Sequence, residues 1–206
     1  MTSTQIPTST RVFVLQNHVE NDIRLTEPSG PSKDDTFALQ VHSVPSPDTL
    51  SENEILVQTL ALSNDPAQRR WVDKPDGTER ADMKPLEPGT PMHCFALSKV
   101  IAVGSAGSDE NFKVGDLVTS RSTWAEYTVL QKGRVTPVTY VRKILQPCLT
   151  MLTCCTSNIP GLSPTVWLGA LGLSGLTAYF GLRDICKLKE SDTLVVSGAA
   201  GYDLFL

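Results

Sequence analysis

Four small residues near the end of the chain, Gly198, Ala199, Ala200 and Gly201, follow the β-branched run Asp192-Thr193-Leu194-Val195-Val196-Ser197. A strand running into a glycine-rich turn is how a dinucleotide-binding βαβ unit begins. Backbone N–H groups of the turn and of the next helix then cradle a pyrophosphate. After Gly201 the sequence reads Tyr202-Asp203-Leu204-Phe205-Leu206, without the helix that completes such a cradle. A parallel strand needs both faces covered, so the run at 193–197 is expected to stand as an exposed edge that could pair with another copy or another protein.

Other side chains offer different chemistry. His93 and Cys94 are adjacent, but zinc needs three or four ligands converging at about 2.0–2.3 Å. Cys148, Cys154 and Cys155 lack the spacing of a closed four-cysteine site. No metal is expected, and His93 reads as a partly exposed sheet residue. Asp65-Pro66 followed by Arg69 reads as the start of a short helix, with Asp65 as N-cap and Arg69 paired to a carboxylate. Core packing is the ordinary role of a residue such as Trp124, and a buried Tyr179 hydroxyl would need a partner.

The elements that must position these residues are mainly strands. Short apolar or alternating runs at 11–15, 36–42, 54–62, 99–105 and 124–130, with a turn and strand at 112–119, are separated by Gly and Pro. That pattern suits a small β-barrel or folded sheet. A helical pattern is confined to 163–188. No charge occurs between Ile144 and Leu182, and 166–182 is mostly apolar. A membrane span is the sharper reading of that run, at the lower limit of about 17–25 residues. A buried helical segment packed between two domains is the reading adopted.

The 206 residues carry 22 acidic and 18 basic side chains, a net charge of −4 with mixed signs. No basic cluster has the footprint of a nucleic-acid binder. The first ten residues are polar and lack the apolar core of a signal peptide. The five cysteines are therefore expected to be reduced thiols in the cytoplasm.

In this order the pieces resemble the medium-chain dehydrogenase/reductase superfamily. Lys113-Val114-Gly115-Asp116-Leu117-Val118 is similar to the turn and strand of its GroES-like barrel. Leu62-Ser63-Asn64-Asp65-Pro66-Ala67-Gln68-Arg69 resembles the signature of the zinc-free leukotriene/prostaglandin reductase branch, which includes NADPH-dependent alkenal double-bond reductases. Residues 169–182 resemble the branch's glycine-spaced helix, and 195–201 the start of its cofactor loop. The Gly-His-Glu of zinc-dependent relatives is absent, because Phe95 follows Cys94.

The resemblance implies a mainly β GroES-like barrel with short helices, followed by the first strand of an incomplete α/β Rossmann domain. The expected divisions are a barrel domain at 1–138, an atypical insertion at 139–159, and linking helices with the start of an NADP-binding domain at 160–206. It implies NADP as cofactor, held at Gly198, Ala199, Ala200 and Gly201, and a small enal or enone as substrate. Asp65, Pro66, Arg69, Trp124 and Tyr179 are the implied substrate-pocket residues. Arg121 and Ser122 do not match the aromatic pair of some prostaglandin reductases, which favours smaller alkenals. No catalytic side chain is singled out, since such enzymes act mainly by positioning and by hydrogen bonds to the developing enolate. The sequence departs from the family after Gly201 and at 140–159, as an unspliced intron or a misplaced gene boundary would make it. The expectation is a reductase part without turnover of its own, the rivals being an enzyme completed by another polypeptide and a non-enzymatic interaction module.

Overall fold

The computed structural model describes residues 6–25, 32–78, 84–104, 112–137 and 163–196. The chain divides into two compact units, 1–137 and 138–206. In the first unit, β1 (Ser9–Leu15) buries Thr10, Val12 and Val14 and turns Ser9, Arg11 and Phe13 outward. This period of two is what a strand with one covered face requires. β1 pairs antiparallel with β2 (Phe37–Ser43), with Phe13 opposite Leu39 and Arg11 opposite Val41. β2 is more exposed than its alternation suggests. Only Phe37 is fully buried, because β1 is its sole strand partner among the described residues.

Five further strands form a second, antiparallel sheet in the order β6-β3-β4-β5-β7. They are β3 (Glu54–Leu62), β4 (His93–Val103), β5 (Leu117–Thr123), β6 (Tyr127–Gln131) and β7 (Val135–Pro137). Register shifts between Leu56 and Val57, and between Thr59 and Ala61, interrupt the β3–β4 ladder; irregularities of this kind bend a strand and increase its twist. Ile55, Val57, Val100, Phe112, Val118, Leu130 and Val135 pack into one core inside the curl. Leu15, Val19, Phe37, Trp71, Val72 and Met92 form another.

Two sequence expectations shift at this point. β4 begins at His93, well before the expected 99, and β6 begins only at Tyr127. Residues 124–126 alternate like a strand but bond to β1: Phe13 N–H donates to the Trp124 carbonyl at 2.9 Å, and Glu126 N–H to the Arg11 carbonyl at 3.2 Å. On the other side Leu15 N–H donates to Thr90 and Met92 N–H to Phe13, both at 2.9 Å. These bonds join the two sheets into a barrel wall and seat Trp124 at the seam.

The turn before β5 shows why its residues are what they are. Gly115 has φ of 100°, a conformation that costs a side-chain-bearing residue energy. The Asp116 carboxylate accepts from Lys113 N–H at 2.8 Å and closes the turn. At the end of β4, a Cβ on Gly104 would lie 1.8 Å from the Ser51 carbonyl oxygen, so only glycine lets these backbones meet.

The second unit holds a 3-10 turn at Pro164–Trp167, the helix α2 (Leu173–Phe180) and a π turn at Gly181–Ile185. The single helical segment expected over 163–188 is broken where Gly169 and Gly172 fall, since glycine costs about 1 kcal/mol in a helix interior. Its described side chains are mostly half-buried. Among the described residues, no helix is long and apolar enough to cross a membrane. The strand expected at 193–197 is unpaired over its described part, 193–196, where Val195 is 87% exposed. A parallel strand forms only beside a neighbour, and this unit has no strand among its described residues. Residues 139–159 lie outside the described residues.

Candidate functional site

The outward residues of β1, β2 and β3 converge on one hollow. Phe13, Leu39, Leu60 and Leu62 make its apolar wall, Asn64 stands at one lip, and Trp124, Ala125 and Glu126 close the seam side. The hollow has a volume of about 660 Å³, within the range of small-molecule sites. Trp124 is held edge-on to Phe13 with ring centroids 6.3 Å apart, and tilted against Phe37 at 5.1 Å. Its indole N–H is buried and has no hydrogen-bond partner among the described residues. Such a group costs about 1–3 kcal/mol when left unpaired.

Arg11 at the rim is already committed. Its Nε donates to Glu126 Oε1 at 2.9 Å, and its backbone N–H donates to Oε2 at 3.1 Å. These bonds hold the Glu126 carboxyl below the usual carboxylate range. The rim pair is therefore neutral overall, and the hollow suits an uncharged, largely apolar ligand better than an anion.

The lip is built by the segment between β3 and the short helix α1 (Gln68–Val72). Ser63 N–H donates to the Phe95 carbonyl at 2.8 Å, extending the β3–β4 ladder by one residue. The Gln68 side chain is buried and bonded on three sides. Its Nε2 donates to the carbonyls of Ser63 at 3.2 Å and His93 at 3.1 Å, and its Oε1 accepts from Asp65 N–H at 3.2 Å. Asn64 lies between two residues pinned by the same amide.

The expected N-cap at Asp65 is not formed: the capping position is Ala67, with no side-chain cap. The first turn is closed instead through the main chain, Gln68 N–H to Asp65 O at 2.9 Å and Arg69 N–H to Pro66 O at 3.1 Å. Asp65 and Pro66 flank the lip but do not line the hollow. Arg69 has the expected carboxylate partner, donating to Asp73 Oδ1 at 2.8 Å and to the Asn21 carbonyl at 2.8 Å. It faces a different, polar hollow shared with Glu20, Arg70, Lys74 and Asp76.

Tyr179 belongs to the second unit, where its hydroxyl accepts from Arg183 Nη1 at 2.8 Å and its ring lies under the same guanidinium. Gly198, Ala199, Ala200 and Gly201 lie outside the described residues. Of the expected pocket residues, the structure thus places Trp124 in the hollow, Asp65 and Pro66 beside its lip, and Arg69 in a separate polar hollow. Sequence reading missed Phe13, Leu39, Leu60, Leu62, Asn64 and Gln68. The signal for the leucines was present: Leu60 and Leu62 repeat with period two where β3 has already buried its core residues.

His93 is half-buried against the Trp71 ring, with centroids 5.8 Å apart. Burial, and then the charge of Arg121, push its pKa down, so the ring is neutral. Burial pushes the Cys94 thiol up to about 12, and the Asp65 carboxylate adds to the effect. A thiol held neutral is a poor ligand. Among the described residues no group of three or more His, Cys, Asp or Glu could hold a metal ion.

Comparison with known proteins gives these features a context. Residues 22–138 match the family described as the N-terminal domain of oxidoreductase. The Bacillus subtilis protein YfmJ is 35% identical over 178 residues, covering 84% of this chain and 42% of its own length. The NADP(+)-dependent 2-alkenal reductase of Nicotiana tabacum is 30% identical over 149 residues, covering 72% of this chain and 36% of the relative. Among solved structures, CurA from Vibrio vulnificus in complex with NADPH superimposes with a TM-score of 0.65 at 27% identity, covering 94% of this chain and 46% of that one. The chain thus spans less than half the length of these relatives.

Proposed function

Because the chain belongs to the medium-chain oxidoreductase family, in the branch of the alkenal and prostaglandin reductases, we propose that it forms the substrate side of an NADPH-dependent reductase. The reaction is hydride addition to the C=C bond of an α,β-unsaturated aldehyde or ketone. The observation that carries this reading is the apolar hollow of the barrel unit, whose wall and lip end in Leu62 and Asn64 of the family's signature segment. Leu60, Leu62, Phe13 and Leu39 exclude water from an apolar substrate body. One neutral donor of the hollow, the Asn64 amide, is suited to the oxygen on which charge develops. The enolate left by hydride addition takes its proton from solvent at the mouth of the hollow, since Arg11 and Glu126 are committed to each other and neither is free to supply it.

The cofactor's contribution is the hydride, and the relatives' names place its use with NADP. In this reading the barrel unit supplies the substrate contacts and an NADPH-binding half must supply the hydride, so the 206 residues alone are expected to show no turnover. The test is a chimera joining this chain to the cofactor half of the tobacco 2-alkenal reductase. The chain alone should leave NADPH absorbance unchanged in the presence of trans-2-nonenal, and the chimera should oxidise NADPH. A soluble chimera that binds NADPH but does not reduce the enal would refute the reading.

One observation favours a second reading. Leu194, Val195 and Val196 are 43%, 87% and 41% exposed, an apolar run without a strand partner among the described residues. An interaction module would use that run for pairing with another copy or another protein. Light scattering on the purified chain separates the two: a monomer across micromolar concentrations counts against the module.

A further inference from the structure

We infer that Gln68 is a positioning residue for the carbonyl end of the ligand, acting through Asn64; the inference rests on the hollow being the substrate side. Gln68 does not line the hollow, yet its amide bonds to both neighbours of Asn64. It donates to the Ser63 carbonyl at 3.2 Å and accepts from Asp65 N–H at 3.2 Å, and its second donor bond, at 3.1 Å, ties both to the His93 carbonyl where β4 begins. Ser63 is 1% exposed and Gln68 8%, so no solvent competes for these bonds. Water-excluded hydrogen bonds of this kind specify one arrangement when fully satisfied.

The consequence falls on Asn64. Its side chain stands at the lip of the hollow and is exposed. A free amide on an ordinary loop samples several orientations and loses entropy when it meets a ligand. Pinned on both sides by one buried amide, the Asn64 backbone cannot follow the loop, so the direction in which its side chain leaves the main chain at the lip is fixed. The ligand this suits is an uncharged chain with a carbonyl at one end: the carbonyl accepts from Asn64 while the chain lies along Leu60 and Leu62.

The test is a double-mutant cycle on the full 206-residue chain with 2-nonanone as probe, a nine-carbon ketone that does not alkylate thiols. Calorimetry gives the affinity, and far-UV circular dichroism verifies the fold of each variant. Gln68→Met keeps the volume and removes all three bonds; Asn64→Ala removes the held amide and leaves the clamp. Each alone should weaken 2-nonanone about fivefold to tenfold, and the double variant should be no weaker than either single one. Nonane-1-thiol, which lacks the carbonyl, should bind all four proteins alike. If the losses multiply, Gln68 does not act through Asn64 and the inference is overturned while the hollow stands. If the wild-type chain does not bind 2-nonanone at all, the hollow is not a carbonyl site, and both readings fall. Should Gln68→Met unfold, Gln68→Asn replaces it; an Asn64 side-chain amide resonance unmoved by that change would equally overturn the positioning role.

Discussion

Replacing Trp124 by phenylalanine should leave the barrel nearly as stable as before, which is unusual for an indole packed on two rings. The substitution removes the pyrrole part of the ring, a loss of roughly 1–1.5 kcal/mol for a half-buried side chain at about 25 cal/mol per Å² of apolar surface. It also removes a buried N–H that has no partner among the described residues, and relief of such a group returns about 1–3 kcal/mol. The net change is expected to lie between a loss of about 0.5 kcal/mol and a gain of about 2 kcal/mol. Trp124→Ala, which empties the seam, should cost about 2–4 kcal/mol. Urea unfolding followed by far-UV circular dichroism measures both, with the slope held common. A loss above about 2 kcal/mol for Trp124→Phe would refute the reasoning. It would mean that the indole N–H is already bonded in the folded protein.

Other substitutions separate positioning from packing. Gly104→Ala should destabilise by at least about 1–3 kcal/mol, since its Cβ would lie 1.8 Å from the Ser51 carbonyl oxygen, whereas Gly133→Ala, with open space around it, should be close to neutral; paired urea melts compare them. Arg69→Ala should lose the modest value of a half-exposed i,i+4 pair, about 0.3–0.5 kcal/mol, and that of its bond to the Asn21 carbonyl, about 0.5–1.5 kcal/mol, and should leave 2-nonanone affinity unchanged because Arg69 faces the other hollow. Cys94 titrates in the folded barrel at about 12 against an ordinary 9.0. The unfolded chain therefore loses that proton first, and stability should fall as pH rises from 9 towards 12, by at most about 1.4 kcal/mol per pH unit. Cys94→Ala should flatten that alkaline limb without altering the profile at neutral pH. At pH 8, Ellman's reagent should label Cys186, which is exposed, and spare Cys94, which is buried.

The barrel was legible because its strands announce themselves by period and by punctuation. Residues 54–62 and the Lys113–Asp116 turn fall where alternation and the glycine place them. Alternation misled at 124–126, since the pattern records that a stretch is half covered but not which strand covers it; here the partner is β1 across the seam. It misled again at 166–182, where apolar composition signalled burial but the glycines broke the helix. The candidate site was only partly readable. Trp124 stood out as a large ring beside a strand. Gln68 did not, because a glutamine after Asp-Pro gives no sign that its amide will be buried among main-chain carbonyls. Phe13 and Leu39 lie far apart in sequence from Leu62, and only the β1–β2 register and the seam bring them to one hollow. Arg69 was correctly seen as a carboxylate partner, and the same bond, to Asp73, turns it towards the polar hollow.

The most direct test of the barrel hollow as the substrate side is a chemical-shift map of the ¹⁵N-labelled 206-residue chain titrated with 2-nonanone. The largest changes should fall on the Asn64 side-chain amide, the Trp124 indole N–H and the backbone of Leu60 and Leu62, and should saturate together. Changes centred on Glu20, Arg69 and Lys74, or on the second unit at 163–196, would contradict it.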